Sequence, residues 1–305
     1  MQGRRTFIRS AAALGLALGT MRLSKAPAAE GDLFSISLAQ WSLNRMIFSG
    51  DLDPLDFPTF AQRTFGISAV EYVNQFFMDK AEDRAWLGEL KRRCEDAGVA
   101  SVILMCDREG DLGDPDPSAR TRAVENHYKW ADAAAFLGCH SIRVNARSSG
   151  SYEAQRDYAI DGLRRLAEAG AERGLNVIVE NHGGLSSNGR WLAEVIDGVG
   201  LPNCGTLPDF GNFVIAPGEE YDRYRGVMEL MPYAKGVSAK SYGFDASGNE
   251  VRTDYRRMMR IVLDAGYRGH VGIEWEGAEP SEVDGIRLTK ALLERLREEL
   301  AEDYA

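Results

Sequence analysis

The sequence predicts an α/β protein in which eight parallel strands, each followed by a helix, close into a (βα)8 barrel. Eight short runs of apolar and β-branched residues alternate with longer amphipathic segments along the 305-residue chain. Several amphipathic segments end at a glycine, as helices commonly do. Strict alternation of strand and helix over a few hundred residues is typical of this barrel, whose usual length is about 250 residues.

The first half of the chain contains four of these strand–helix units. Its predicted strands are 33–41 (LFSISLAQW), 68–74 (SAVEYVN), 99–105 (VASVILM) and 141–146 (SIRVNA). Its predicted helices are 55–66, 83–98, 118–138 and 152–174, where apolar residues recur at helical spacing.

The second half contains the other four units. Its predicted strands are 176–181 (NVIVEN), 203–209 (NCGTLPD), 234–240 (AKGVSAK) and 270–277 (HVGIEWEG). Its predicted helices are a shorter one near 188–198, one near 218–230, and then 253–266 and 282–300. The competing fold, an open doubly wound sheet, usually has fewer strands and a glycine-rich phosphate turn after the first strand. The segment AQWSLN is not such a turn, which favours the barrel.

Residues 1–28 are predicted to be an export signal, and residues 29–305 a single barrel domain. Paired arginines, Arg4 and Arg5, precede the apolar run AAALGLALGTM, and APA at 26–28 has the form of a cleavage site. This pattern resembles a twin-arginine signal; the alternatives are a short membrane anchor or a chance basic tail. The apolar run is shorter than the about 20 residues that span a bilayer. We therefore expect a periplasmic or otherwise exported protein with no stable membrane span.

The charge balance argues against a nucleic-acid partner. Residues 1–28 hold five Lys or Arg residues and no acid, so the remaining chain has 31 basic and 46 acidic residues, a net charge of −15. Such a chain repels phosphate backbones. The four cysteines (94, 106, 139 and 204) form no C-x-x-C pair, which excludes a zinc-ribbon or redox motif, and we expect them to be free and mostly buried.

The polar residues at the strand ends are the candidates for function, because active sites of such barrels gather at the carboxyl-terminal ends of the strands. The fifth strand shows the pattern most clearly: VIVENHGG (177–184) passes from apolar residues directly to a carboxylate, an amide and an imidazole. The full set of candidates is Gln40, Trp41, Glu71, Asn74, Arg143, Asn145, Glu180, His182, Asp209, Asn212, Ser238, Lys240, Glu274 and Glu276.

Three of these candidates are acids that predict a metal site. Glu180, Asp209 and Glu274 end the fifth, sixth and eighth strands. Three carboxylates at one barrel mouth repel each other unless a cation lies between them, and hard divalent ions prefer such oxygen ligands. The alternative, in which each acid caps a helix or pairs with a base, explains one acid better than three.

His182 is the only histidine at a strand end, where it is a candidate metal ligand, proton carrier or hydrogen-bond donor; a plain turn residue is the alternative. His127 lies within a predicted helix and is expected on its surface. His140 and His270 precede strands and belong to the opposite face, which serves stability.

Lys240 and an aromatic group are candidates for substrate binding. Lys240 could stabilise an oxyanion or bind a hydroxyl, or it could simply pair with the neighbouring acids. Trp41, Tyr72, Phe76 and Phe77 could stack on a sugar or merely fill the rim. The acidic segment 107–118 is expected to be a solvated loop, since it lacks the EF-hand spacing. The predicted substrate-binding residues are Trp41, Glu71, Arg143, Asn145, Asn212, Lys240 and Glu276.

Six segments together resemble the sugar phosphate isomerase/epimerase family of the xylose-isomerase-like TIM barrel superfamily, and the resemblance covers essentially all of residues 29–305. They are AVEYVNQFF, IRVNA, VIVENHGG, LPDFGNF, VSAKSYGFDASGNE and GYRGHVGIEWEG. The resemblance implies one divalent metal ion, most often Mn²⁺, with Zn²⁺, Mg²⁺ or Co²⁺ as alternatives. The family holds it with two glutamates, an aspartate and a histidine, and Glu180, Asp209 and Glu274 match the acids.

One position departs from the family pattern. The family's histidine ligand falls on the seventh strand, where this chain has Ser238. Either the metal has three protein ligands and water, or His182 supplies the nitrogen from the fifth strand.

The resemblance implies an isomerase or epimerase of a sugar or keto-sugar. In the family's ketose epimerases the two metal-binding glutamates, here Glu180 and Glu274, also move the proton through a metal-stabilised enediolate. The same chemistry suits a keto-glycoside lyase or hydrolase, and a non-catalytic sugar-binding barrel is a further alternative. We expect a small carbohydrate as partner and leave oligomerisation open. Phosphodiester hydrolysis on three zinc ions is disfavoured, because it needs several histidines at strand ends.

Overall fold

The computed structural model describes residues 33–304, which form a barrel of eight parallel strands surrounded by helices. The predicted export signal at 1–28 lies outside the described residues, so it and the domain boundary that follows it stay predictions. Within residues 33–304, no helix is both long and apolar enough to cross a membrane. The prediction of a (βα)8 barrel is confirmed.

The elements follow the predicted order. The strands are β1 (Ser35–Ala39), β2 (Ala69–Val73), β3 (Ala100–Met105), β4 (Ser141–Val144), β5 (Asn176–Glu180), β6 (Cys204–Leu207), β7 (Val214–Ala216), β8 (Glu219–Glu220), β9 (Val237–Ser241) and β10 (His270–Trp275). The helices are α1 (Asn44–Ser49), α2 (Phe57–Phe65), α3 (Arg84–Ala97), α4 (Pro117–Leu137), α5 (Tyr152–Glu172), α6 (Gly189–Val199), α7 (Arg223–Leu230), α8 (Tyr255–Asp264) and α9 (Glu282–Tyr304). The barrel uses all strands except β7 and β8, which form a separate two-stranded hairpin.

Parallel pairing joins the barrel strands in the order β6-β5-β4-β3-β2-β1-β10-β9. Between β6 and β9 the closure is looser, with isolated bridges between Thr206 and Ala234 and between Asp209 and Ser238. The second bridge lies beyond the end of β6, at the mouth of the barrel. Closure therefore brings Asp209, which lies two residues after the end of β6, beside Ser238 in β9.

Two features were missed by the sequence prediction. The short helix α1 and the hairpin β7–β8 lie within segments predicted as loops or as the start of a helix. The helix predicted near 218–230 begins only at Arg223, because the Asp222 side chain accepts a hydrogen bond from the Arg225 backbone and so caps its first turn. The hairpin β7–β8 occupies the residues that precede this helix.

A close helix–loop contact holds the loop after β3 at the barrel mouth. At Gly162 in α5, an added Cβ would lie 1.9 Å from the carbonyl oxygen of Leu112, so only glycine allows this approach. Leu112 is fully buried and ends the loop segment that forms one wall of the candidate site. The four cysteines are free and buried, as expected.

Candidate active site

A cavity of about 340 Å³ opens at the carboxyl-terminal ends of the barrel strands, a volume within the range of small-molecule sites. Six of the residues predicted for the site line it: Trp41, Arg143, Asn145, His182, Glu274 and Glu276. Residues 106–111, which follow β3, form another part of its wall. The cavity therefore lies at the strand ends, where the sequence predicts the candidate site.

The three predicted metal acids lie together beside this cavity. One carboxylate oxygen each from Glu180, Asp209 and Glu274 lies within 4.8 Å of the other two. All three residues are buried, and of the three only Glu274 reaches the cavity wall. The acids come from positions up to 94 residues apart in the chain, and the ends of β5, β6 and β10 bring them into one group.

Ser238 connects two of these acids. Its hydroxyl lies 2.8 Å from Asp209 Oδ2 and 2.8 Å from Glu274 Oε2. A hydroxyl has one proton to donate, so it can serve only one carboxylate at a time. The residue that replaces the family's histidine thus lies between two candidate ligands.

Lys240 places a buried ammonium group among the acids. Its Nζ lies 3.2 Å from Glu274, 3.4 Å from Glu276 and 3.9 Å from Asp209. It also donates a hydrogen bond to Asn212 Oδ1 at 3.2 Å. The structure therefore has the ion pairs between Lys240 and the acids that the sequence analysis gave as one of the two roles of this residue.

Glu180 is held from two sides. Asn212 Nδ2 donates a hydrogen bond to Glu180 Oε1 at 2.9 Å, and Arg143 Nε lies 2.9 Å from Glu180 Oε2. The angle of the arginine contact is not that of a hydrogen bond, so Glu180 Oε2 has no donor among residues 33–304. A buried carboxylate oxygen without a donor is a position that a ligand can satisfy.

Burial and neighbouring charges make the pKa of Glu274 differ from those of Glu180 and Asp209. Burial raises the pKa of Glu180 to about 7 against the charge of Arg143, and it raises the pKa of Asp209 to about 7 against that of Lys240. Burial alone would also raise the pKa of Glu274, but the Lys240 charge and the Ser238 hydroxyl outweigh it and lower that pKa. Carboxyl groups of different acidity at one site are suited to giving and taking protons.

The residues of this group fit a divalent metal ion. The group presents three carboxylates in reach of one another, and Glu180 Oε2 lacks a donor. Oxygen ligands of this kind suit Mg²⁺ or Mn²⁺. The group could therefore hold a metal ion, with Glu180, Asp209 and Glu274 as its protein ligands.

His182 is not part of the acidic group. Among residues 33–304, the group that could hold a metal contains no histidine. His182 is exposed and lines the cavity, and its backbone N–H donates to Ser186 Oγ at 3.0 Å. Gly183 follows with a φ of 78°, a value that glycine adopts readily. The turn therefore directs the imidazole to the cavity rather than to the acids.

Glu71, predicted to bind substrate, lies inside the barrel and not on the cavity wall. Ser37 donates a 2.6 Å hydrogen bond to its Oε1, whereas its Oε2 has no partner among the described residues. An added Cβ at Gly272 would lie 2.5 Å from this carboxylate, so glycine makes room for it. Burial, opposed by the Ser37 hydrogen bond, raises the pKa of Glu71 to about 7.

The replacement Glu71→Gln is expected to remove a pH dependence of stability. A carboxyl group whose pKa is higher in the folded than in the unfolded state ionises first in the unfolded chain. The folded state therefore loses stability as the pH rises above the unfolded-state pKa. From the raised pKa of about 7, the wild type should lose about 2–3 kcal/mol relative to the variant between pH 5 and pH 8. Urea unfolding at both pH values measures this difference. The exposed Glu168→Gln is the control, and equal slopes for wild type and Glu71→Gln would contradict the assignment.

Several expectations about residues around the cavity were wrong. His127 is buried and lines the cavity instead of lying on the helix surface; its Nδ1 lies 2.7 Å from the Ala123 carbonyl oxygen. Tyr72 and Phe77 are buried in the core rather than at the rim, because both contact helix α3. Tyr72 contacts Cys94, and the ring of Phe77 packs against that of Trp86. Trp41 alone of the four aromatic residues reaches the cavity, where its Nε1 donates to Glu276 at 2.7 Å.

The acidic segment 107–118 is also not simply a solvated loop. Asp107 accepts hydrogen bonds from Arg143, Asn145 and Gln75 at 2.8–3.1 Å. The charge of Arg143 and these hydrogen bonds outweigh burial and hold the pKa of Asp107 below its usual value. Sequence reasoning missed Asp107, although it follows the third strand closely and the strand-end rule could have found it.

A family model described as "Xylose isomerase-like TIM barrel" matches residues 61–299. Two curated relatives match shorter stretches. The C-glycoside deglycosidase alpha subunit of Arthrobacter globiformis is 37% identical over 91 residues, which are 28% of this chain and 24% of that protein. The 3'-dehydrocarminate deglycosidase alpha subunit of a Microbacterium species is 40% identical over 48 residues, 16% of this chain and 14% of that protein. This chain thus matches a quarter or less of the length of either relative.

Solved structures resemble the whole barrel. An L-ribulose 3-epimerase has a TM-score of 0.68 at 15% identity, covering 88% of this chain and 96% of that one. The 3-keto-D-glucoside 4-epimerase of E. coli has a TM-score of 0.60 at 18% identity, covering 80% and 94%. A xylose isomerase-like TIM barrel protein of Mycobacterium smegmatis, solved in complex with magnesium, has a TM-score of 0.65 at 17% identity, covering 89% and 98%. At these identities the likeness supports the fold.

Proposed function

Because this chain belongs to the xylose isomerase-like TIM barrel family, we propose that it is a metal-dependent enzyme that isomerises or epimerises a sugar or keto-sugar. The observation that carries the proposal is the buried group of Glu180, Asp209 and Glu274 beside the cavity. Two of these acids are glutamates at the ends of different strands, β5 and β10, and proton transfer on the two faces of a substrate requires two such groups.

The metal, if bound, would be held by Glu180, Asp209 and Glu274. It would supply a Lewis acid that stabilises negative charge on the oxygen of a substrate carbonyl. Water would complete the coordination, because His182 faces the cavity rather than the acids; the exposed His182 is placed to donate a hydrogen bond to the substrate.

Proton transfer is assigned to the two glutamates. One removes the hydrogen from the carbon next to the carbonyl, and the other returns a proton on the opposite face. Lys240 and Asn212 orient them, because Lys240 contacts Glu274 and Asn212 contacts Glu180. Trp41, hydrogen bonded to Glu276, offers an aromatic face at the cavity wall.

An oxidised glycoside is the substrate class that we favour. Two of the similar proteins have names that specify an oxidised substrate: the 3-keto-D-glucoside 4-epimerase and the 3'-dehydrocarminate deglycosidase alpha subunit. A ring ketone makes the hydrogens on the adjacent carbons removable, which is what the proposed glutamates require. Export through the twin-arginine route, which we also propose, would place the enzyme where phosphorylated sugars are scarce.

A lyase acting on the same substrates is the second candidate. Both curated relatives are deglycosidase alpha subunits. Removal of the hydrogen on C2 of a 3-keto-glycoside gives an enediolate. Its electron pair can then expel the group on C1, which leaves with a proton, while a C1–C2 double bond forms. Epimerase and lyase would thus share the first proton transfer.

The test is to purify the protein without chelators, measure its metal content by elemental analysis, and add 3-keto-β-D-glucosides in D₂O. We expect about one equivalent of a divalent metal, and incorporation of deuterium next to the carbonyl. Deuterium without loss of the aglycone supports the epimerase, and aglycone release supports the lyase. If neither occurs after addition of Mn²⁺, Mg²⁺, Zn²⁺ or Co²⁺, the catalytic proposal is wrong and a sugar-binding barrel is favoured.

A further inference from the structure

Two arginines on the cavity wall have no side-chain partner in the part of the chain that the structure describes. Arg108 and Arg147 are both exposed and both line the cavity that contains Glu274. Neither side chain makes a hydrogen bond or ion pair with any other residue in 33–304. The third arginine of the cavity, Arg143, is buried and pairs with Asp107 and Glu180. Two guanidinium groups are therefore available to a ligand.

Arg108 has an unusual backbone conformation, and its two neighbours in the chain are already paired. Arg108 has a φ of 63°, and among residues 33–304 it is the only residue other than glycine with a positive φ. The acids on either side are fixed inward: Asp107 by Arg143, and Glu109 by Trp130 Nε1 at 2.6 Å. Lys129 also contacts Glu109 at 3.1 Å. The loop thus presents Arg108 between two acids whose charges are already compensated.

Arg147 lies on a loop that is tied to the loop of Arg108. The Gly113 N–H donates to the Arg147 carbonyl oxygen at 3.0 Å, and Gly113 and Ser148 form a parallel bridge. An added Cβ at Gly113 would lie 2.8 Å from the Ser148 side chain, so the two loops are in close contact. The loops after β3 and β4, which carry the two arginines, are therefore joined to each other beside the cavity that both arginines line.

Most of the acids on the cavity wall are already paired. Glu274 and Glu276 are paired with Lys240, and Asp107 and Glu109 have the partners named above. Asp111 is the one acid on the cavity wall whose carboxylate has no partner within the described residues. The cavity wall thus carries two guanidinium groups and one carboxylate without partners among residues 33–304, and guanidinium groups bind carboxylate and phosphate through paired hydrogen bonds.

We propose that Arg108 and Arg147 form an anion subsite, and that the sugar substrate carries a carboxylate or phosphate that binds there. The inference rests on the proposed function, since it extends the same cavity. Export would favour the carboxylate, because phosphorylated sugars are scarce outside the cytoplasm. The subsite explains why a protein with a net charge of −10 keeps two exposed, unpaired arginines on its cavity wall.

Calorimetric titration of the full chain with non-reacting glucosides tests the subsite without needing turnover. The carboxylate probes are methyl β-D-glucuronide and 4-carboxyphenyl β-D-glucoside, each compared with its carboxamide. The phosphate probe is methyl β-D-glucoside 6-phosphate, compared with methyl β-D-glucoside. We expect at least one anionic probe to bind about tenfold or more tightly than its neutral counterpart, with a smaller ratio in 0.5 M salt.

Three variants identify the residues. The double variant Arg108→Gln/Arg147→Gln should abolish the preference for the anion, whereas Asp111→Asn should increase it by removing an opposing charge. The double variant Arg63→Gln/Arg122→Gln has the same change of net charge at exposed sites off the cavity wall, and it should behave as wild type. Thermal melts check that each variant is folded.

The possible outcomes separate the two proposals. Preference for a carboxylate probe, or for the phosphate probe alone, supports the subsite and identifies its ligand. Equal binding of every anionic probe and its neutral counterpart, or a preference that survives in Arg108→Gln/Arg147→Gln, overturns it. Absence of deuterium exchange and of aglycone release contradicts the proposed function while leaving the binding result intact.

Discussion

The variant Lys240→Met is expected to be less stable than the wild type by about 3–5 kcal/mol at pH 8 without a divalent ion, because one partner of a buried ion-pair cluster is lost. The Lys240 side chain is almost completely buried, with its ammonium group 3.2 Å from Glu274 and 3.9 Å from Asp209. Without it, these carboxylates would face each other with Ser238 between them. Urea unfolding in EDTA measures the loss.

Addition of Mn²⁺ should restore more stability to Lys240→Met than it gives to the wild type. A bound cation stabilises the folded state by mass action, and in the variant it no longer competes with the ammonium group. Lys290→Met is the control, because Lys290 forms a surface pair with Glu294, and surface pairs contribute only about 0–1 kcal/mol. If Lys240→Met in EDTA were as stable as the wild type, Lys240 would not be the counter-ion of the acids.

Glu180→Gln and Glu274→Gln are each expected to slow interconversion of epimers by about 10²–10⁴-fold, the usual contribution of a general acid or base. Their residual activities should differ. With two carboxylates serving opposite faces, each variant should still exchange the hydrogen of the one epimer that its remaining glutamate reaches. Deuterium incorporation into each epimer separately, followed by NMR, measures this difference.

Glu194→Gln is the matched control for these variants, because Glu194 is a surface partner of Arg190 and its replacement should leave both rates unchanged. Metal content must be measured for each variant, since a lost ion would also stop the reaction. If both variants retain metal and exchange both epimers at equal rates, neither glutamate has the proposed role.

Much of the candidate site can be predicted from the sequence. Glu180, Asp209 and Glu274 each follow a short apolar run, and parallel strands of a closed barrel all end on one side. That relation depends only on the direction of the strands. Convergence of the three acids was therefore predictable, although the distance between their oxygen atoms was not.

The contacts between the site residues were not predictable in the same way. Ser238 appeared in the sequence as a missing histidine, and its position between Asp209 and Glu274 depends on how the barrel closes between β6 and β9. Glu71 was predicted at the cavity because it lies in a strand near its end. It faces the barrel interior instead, where the glycine at 272 leaves room for its carboxylate.

By itself the sequence determined the barrel, the order of its strands and helices, and which acids stand at the strand ends. These features follow from the period of apolar residues and from turn chemistry, which act over a few neighbouring positions. Only the tertiary structure decided that Lys240 pairs with the acids and that Arg143 spans Asp107 and Glu180. It also decided that Arg108 and Arg147 have no side-chain partner among residues 33–304. Charge pairing depends on distances between side chains from different strands, and those distances are set by strand register and barrel closure, which no local pattern encodes.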